Sequence, residues 1–421
     1  MFKIKRIFES EISKAYYFGY FGMNQVSADD KLILAMRIEN YDKYPKDDDK
    51  AEIGFFDITD SKKVFVKIGE TNSYNWQQGA MLQFLGPDYK SKIIWNVFKD
   101  GKYQSCIYDL KSGNNTYRDA IYNIAYDGQS ALTIDFERHT FCRRGYSYGN
   151  IVKIHKNKKI FSNDGIWLID LKNNQKKQIL FIEDLLKISP LSTMENSTHY
   201  VEHILFSPKA DKFVFLHRWK HNNGIHSRLL ISDKNGNDIR ILCDSGRMSH
   251  FCWKDNRYLI CYGGKKNKIN KLRNRKFFLK FLFKPLLPIY KFFVKDSTKL
   301  SKMMTGDGYY LIDSENPDSM RLICNCVRSQ DGHPVSIPNS NFLITDTYAR
   351  SEIKLKPKLL IVNIVEDEFQ VLDELESIKD FDESAFRCDL HPCLSVSGNI
   401  ITIDTMDKKQ RRIYAYKIER N

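Results

Sequence analysis

The chain has 421 residues, 42% apolar and 13% aromatic with 23 Tyr and 27 Phe, which supplies a sizeable core, leans toward β-structure and excludes a disordered chain. The formal net charge is +14, but thirteen Lys and Arg against one acid, Asp296, fall between Lys265 and Lys302, and elsewhere 53 basic residues face 51 acidic ones. So balanced a body has no basic stripe, which excludes nucleic-acid binding as its main role.

The opening MFKIKRIFESEISK reaches Glu9 and Glu11 before any apolar run develops and does not read as a signal peptide. No stretch of eighteen apolar residues follows, so no spanning helix is expected. Nine cysteines show no paired spacing beyond Cys324 and Cys326, which predicts reduced thiols in a cytoplasmic protein. A monomer is expected, with a possible station at the inner face of a membrane.

One pattern then recurs seven times: a short apolar strand, a turn, and a second apolar strand. It appears as QVSADDKLILAM from Gln25, FLGPDYKSKIIW from Phe84, IAYDGQSALTI from Ile124 and LFSPKADKFVFL from Leu205. FCWKDNRYLICY from Phe251, VSIPNSNFLIT from Val335 and CLSVSGNIITI from Cys393 complete the series. Each is followed by an apolar strand running into a polar turn, beginning at Gly54, Cys106, Trp167, Leu229, Tyr310, Leu359 and Arg412. Each pair of signatures supplies about four strands, one blade of a propeller. The predicted fold is all-β: a single seven-bladed β-propeller over residues 1–421, with a short loop helix at IEDLLKI from Ile182.

Residues 265–304 interrupt the fifth blade as a basic-hydrophobic insert, KFFLKFLFKPLLPIYKFF, in which Pro285 and Pro288 break any long helix. Three roles fit it: an interfacial segment for anionic lipid, a basic lip guiding an acidic polysaccharide, or a helical hairpin with a solvated face.

Aligned on their turns, the last four blades carry His203, His250, His333 and His391 at one position, three residues before that of Phe206. The first three carry Met23, Leu82 and Ile121 there. First strands line a propeller's central channel, so the four histidines are expected to form one ring. Gathered imidazoles can bind a divalent metal or serve as a base near neutral pH. Singly, each His-Pro or His-apolar pair could equally cap a strand start. Asp331, two residues before His333, shares its face if the segment is extended. His217, Arg218 and Trp219 end the second strand of blade four, and Arg143, Arg144, Tyr146 and Tyr148 form a cationic, phenolic loop.

These segments resemble the oligogalacturonate lyases and their propeller relatives, the ulvan lyases. WQQGAMLQFLG from Trp76, RRGYSYG from Arg143, HILFSPKADKFVFLHRW from His203, SHFCWKDNRYLICY from Ser249, DGHPVSIPNSNFLITDTY from Asp331 and CDLHPCLSVSGNIITIDT from Cys388 carry the resemblance. It implies β-elimination on a uronate sugar: a metal or Arg offsets the carboxylate's charge, and His or Tyr removes the C5 proton. It implies His250, His333, Asp331 and His391 as ligands of manganese or zinc, with Asp331 standing where the family has a first histidine. It implies His217 as base, with His203, Arg143, Arg218 and Tyr146 or Tyr148 in catalysis. Arg144 and Ser147 depart from the proline and glycine expected in that loop. The expected partner is an acidic oligo- or polysaccharide. The second function class is a non-catalytic propeller platform that binds glycan or protein during surface-polysaccharide assembly.

Overall fold

A computed structural model describes residues 2–39, 45–46, 48–149, 163–221, 224–264, 306–328, 330–349, 356–377 and 387–419. The predicted insert at 265–304 lies outside the described residues.

Seven four-stranded antiparallel sheets are present, and six are built from consecutive strands. The seventh joins the two ends of the described chain: β1 (Lys3–Glu9) pairs with β28 (Arg412–Glu419), and β27 (Ile400–Thr405) and β26 (Cys393–Leu394) complete the sheet. Six of the seven strand-turn-strand signatures fall on the inner two strands of a blade. In blade one the signature from Gln25 holds the second strand and only a bridge from Val26 to Ile33 on the first, and all seven following signatures form the third strand. Four of the innermost strands have only two residues, β6 (Gln83–Phe84), β10 (Asn123–Ile124), β22 (Val335–Ser336) and β26, whereas that of blade four runs from Thr198 to Phe206.

Side-chain oxygens fix the turns between the first two strands. Leu32 N–H donates to Ser27 Oγ at 2.9 Å and Ile400 N–H to Ser395 Oγ at 3.0 Å, so each hydroxyl replaces a missing ladder partner. Neighbouring blades are clasped by a polar residue late in the second strand. Asn96 bonds both backbone groups of Ile121 in the next blade, and Asp404 accepts the N–H groups of Phe18 and Gly19 at 2.8 Å each.

The expected loop helix is α2 (Ile182–Leu185). A second helix, α1 (Phe136–Cys142), was not anticipated; it is capped by Asp135, whose side chain accepts from Arg138 N–H at 3.0 Å. It delivers Arg143 at its C-terminus. None of the nine cysteines forms a disulfide. No helix among the described residues is long and apolar enough to cross a membrane.

Candidate functional site

Strand pairing sets the level of the histidines. Phe206 pairs with Phe213, Ser336 with Leu343 and Leu394 with Ile401, which makes His203, His333 and His391 equivalent. In blades four and five the position falls on a bulge. Between Glu202 and Leu205, and again between Met248 and Phe251, the first strand holds one residue more than its partner. A bulge re-aims side chains and lets adjacent residues reach one side. His203 and His391 have φ of 50° and 45°, a left-handed conformation that side chains rarely adopt. Such backbone costs about 1–3 kcal/mol and persists where the surroundings enforce it.

The four rings do meet on the axis. Ring centroids lie 4.3 Å apart for His250–His333 and for His333–His391, and 5.7 Å for His203–His250. In blade two the equivalent residue is Met81 rather than Leu82. Phe84 pairs with Ile93, so that turn is two residues longer than the one between Phe206 and Phe213. Met81 shares the left-handed backbone, with φ of 54°.

Blade one contributes a feature the turn alignment missed. Its first strand is interrupted after Tyr17 by Phe18-Gly19-Tyr20-Phe21-Gly22, with Gly19 and Gly22 at φ of 107° and 69°. A Cβ on Gly19 would meet Gly79 N at 2.4 Å, so only glycine fits. The excursion puts Phe21 against His250, His333 and His391, at 5.7, 4.9 and 6.3 Å between centroids. Tyr20 Oη lies 2.6 Å from His203 Nδ1. Beyond this aromatic stopper the pore continues as a cavity lined by Met23, Asn123, Tyr126, Trp253 and Ser336.

His333, Asp389 and His391 each place a ligand-type atom within 4.8 Å of the others. Burial pushes both imidazoles well below their usual range, so they are neutral. His333 Nδ1 lies 2.9 Å from Asp346, which also accepts the backbone N–H groups of His333 and His391. With Nδ1–H donated to Asp346, Nε2 keeps its lone pair for a ligand, an outer carboxylate arrangement common at metal sites. Two neutral imidazoles and a carboxylate fit a divalent transition metal. The expected ligand Asp331 instead faces His250, 3.3 Å from Nδ1, which is also 3.4 Å from Tyr348 Oη. Asp346→Asn is expected to weaken manganese or zinc binding by roughly 10–100-fold, read by titration calorimetry. An unchanged affinity would exclude the outer-carboxylate role.

Beside the ring lies Glu202, fully buried. Arg143 pairs with it, Arg218 Nε is 2.5 Å away, and His139 and His203 approach at 3.4 and 3.6 Å. Burial opposes its ionisation, but Arg143, Arg218 and His203 together hold the carboxyl well below the usual carboxylate range. The Arg143 guanidinium covers the Tyr146 ring at 3.7 Å.

The other two expected residues lie away from the mouth. Tyr148 is buried, stacked on Phe136 at 4.7 Å, and its hydroxyl accepts from Asn96. His217, expected as the base, belongs to a buried chain within blade four. Arg228 Nε–H donates to His217 Nδ1 at 3.1 Å, which leaves Nε2–H to donate to His199 Nδ1 at 3.0 Å. His199 Nε2–H then donates to Met194 O at 2.8 Å. Both ring nitrogens of His217 are therefore engaged.

Tyr20, Phe21, Glu202 and Asp346 are not among the residues expected from the sequence. Each left a trace: aromatics between two glycines, a carboxylate next to a ring histidine, and a polar residue at the place in LITD that matches ITID and IIWN.

No family model matches the sequence, and no curated protein matches it. Among solved structures, an oligogalacturonate lyase in complex with manganese superposes with a TM-score of 0.62 at 14% identity, covering 99% of this chain and 93% of that one. An oligogalacturonate lyase from Vibrio parahaemolyticus gives 0.59 at 12% identity, with 98% and 93% covered. The β-propeller domain of the Trilobed protease from Pyrococcus furiosus gives 0.50 at 10%, with 96% and 97% covered. At such identities the likeness concerns the fold, and this chain is a seven-bladed β-propeller of the same architecture as the oligogalacturonate lyases.

Proposed function

We propose that this protein is a polysaccharide lyase that cleaves a uronate-containing acidic glycan by β-elimination with a divalent metal, manganese or zinc. The observation that carries the reading is the convergence of four imidazoles with Asp331, Asp389 and three guanidinium groups about one end of the axis.

His333, His391 and Asp389 would hold the metal, with His250 beside them. When bound it supplies Lewis acidity that draws charge from the sugar carboxylate and makes the C5 proton removable. His203 takes that proton at Nδ1 through the Tyr20 hydroxyl 2.6 Å away, while Nε2–H faces the Glu202 carboxylate, which stabilises the imidazolium so formed. Tyr146, beside Arg143, gives a proton to the departing O4. The electron pair of the broken C5–H bond becomes the C4–C5 double bond as the C4–O4 bond breaks, so the reaction needs no oxidant.

Incubating the manganese-loaded protein with a panel of uronate glycans should give the ultraviolet absorbance of a conjugated unsaturated uronate. His203→Gln should abolish it while leaving the fold intact by circular dichroism. Absence of that absorbance with every glycan, in protein shown to hold metal, would leave the non-catalytic platform in its place.

A further inference from the structure

Two of the arginines singled out in the sequence, Arg143 and Arg218, face the Glu202 carboxylate. A third guanidinium does not. Arg387 uses Nε, donating to the two oxygens of Asp389 at 2.8 and 2.7 Å, and its centre lies 4.6 Å from the Tyr348 ring centroid. Among the described residues no other hydrogen bond or ion pair holds its side chain. The side chain is 27% exposed while Asp389 beneath it is 3% exposed. Arg387 is two residues from Asp389 and four from His391, and its charge acts on both His333 and His391. Tyr146, reaching over from the loop after α1, is close enough to act on it in turn.

We propose that Arg387 is the carboxylate-binding residue of this mouth and that the ligand it selects is a free, unesterified uronate. Asp389 fixes one edge of the guanidinium and Tyr348 one face. The side chain therefore has little rotamer freedom left to lose on binding. What remains is a planar pair of N–H donors, which matches the two oxygens of a carboxylate. A methyl ester removes the negative charge and one of the two equivalent oxygens, so the fork has no matching acceptor. Lysine in this place would keep the charge and lose the fork. The choice of a uronate rests on the lyase reading, but binding and turnover are measured separately.

The test is calorimetric titration of D-galacturonate and of its methyl ester into manganese-loaded wild type, Arg387→Lys and Arg387→Gln. Wild type should bind the acid at least roughly tenfold more tightly than the ester. Both variants are titrated at saturating manganese, because Arg387 also holds Asp389. Arg387→Gln should lose most of the wild-type preference and Arg387→Lys should retain more of it. If the glutamine variant does not fold, the lysine variant decides alone. An undiminished preference in the variants, or none in wild type, overturns the proposal. If the preference follows Arg387 but no glycan yields unsaturated product, the proposal stands and the lyase reading falls.

Discussion

Glu202→Gln will destabilise the protein by about 3–5 kcal/mol, read from urea or guanidinium unfolding at neutral pH. The carboxylate is fully buried and is the shared counter-ion of Arg143 and Arg218. Glutamine has nearly the same shape, so packing is preserved while two guanidiniums lose the negative partner they share. An uncompensated buried charge costs more than the pair contributed when intact. The sign of the pH dependence is a second check. The folded-state carboxyl sits well below its usual range, so its contribution is complete above the unfolded value of about 4.3 and is lost as pH falls through the lower folded one. The gap between wild type and variant should be constant at neutral pH and narrow only in strong acid. A loss under about 1 kcal/mol would show that the cluster is not the clasp between the loop after α1 and blade four.

The second large effect is acid sensitivity beginning near neutrality. Burial lowers His199 to about 4 and His217 well below the ordinary value, and the neighbouring Arg228 adds to both shifts. The hydrogen-bond chain from Arg228 through His217 and His199 to Met194 O works only with neutral rings. In the unfolded chain both rings take protons below about pH 6.5, where the folded protein binds fewer. Stability is therefore complete above that pH and falls on acidification. For His199 the loss runs from about pH 6.5 to about 4 and amounts to about 3 kcal/mol. Unfolding free energies measured across this range should show the decline, and His199→Gln, whose amide does not titrate, should make it shallower, the other buried histidines keeping the rest. A wild-type profile level down to pH 5 would rule out the neutral chain.

The blades were legible because each repeats a strand, a turn and a strand at nearly constant spacing, and a residue at fixed distance from the turn must fall at fixed depth in the channel. That logic placed His203, His250, His333 and His391 correctly on the axis. It failed by one residue in blade two, where the turn around Pro87 is longer than its counterparts and Met81 occupies the level expected for Leu82. It was blind to contributions that do not repeat. The glycine-flanked excursion at Tyr20 and Phe21 belongs to blade one alone. Glu202 reaches the arginines because a bulge breaks the alternation on which face arguments depend. His217 illustrates the opposite error: its strand position was read rightly, but its partners Arg228 and His199 turn it into a structural link rather than a free base.

The seam between the two ends of the chain has a mechanical consequence. Lys3 lies opposite Glu419 and Glu9 opposite Tyr414, so both ends leave the ladder on the same side. Tension applied at the termini would load the rungs one after another, as in a peeled strip, instead of shearing them together. The ring should thus part at this joint under weak pulling, while the remaining blades keep their stacking.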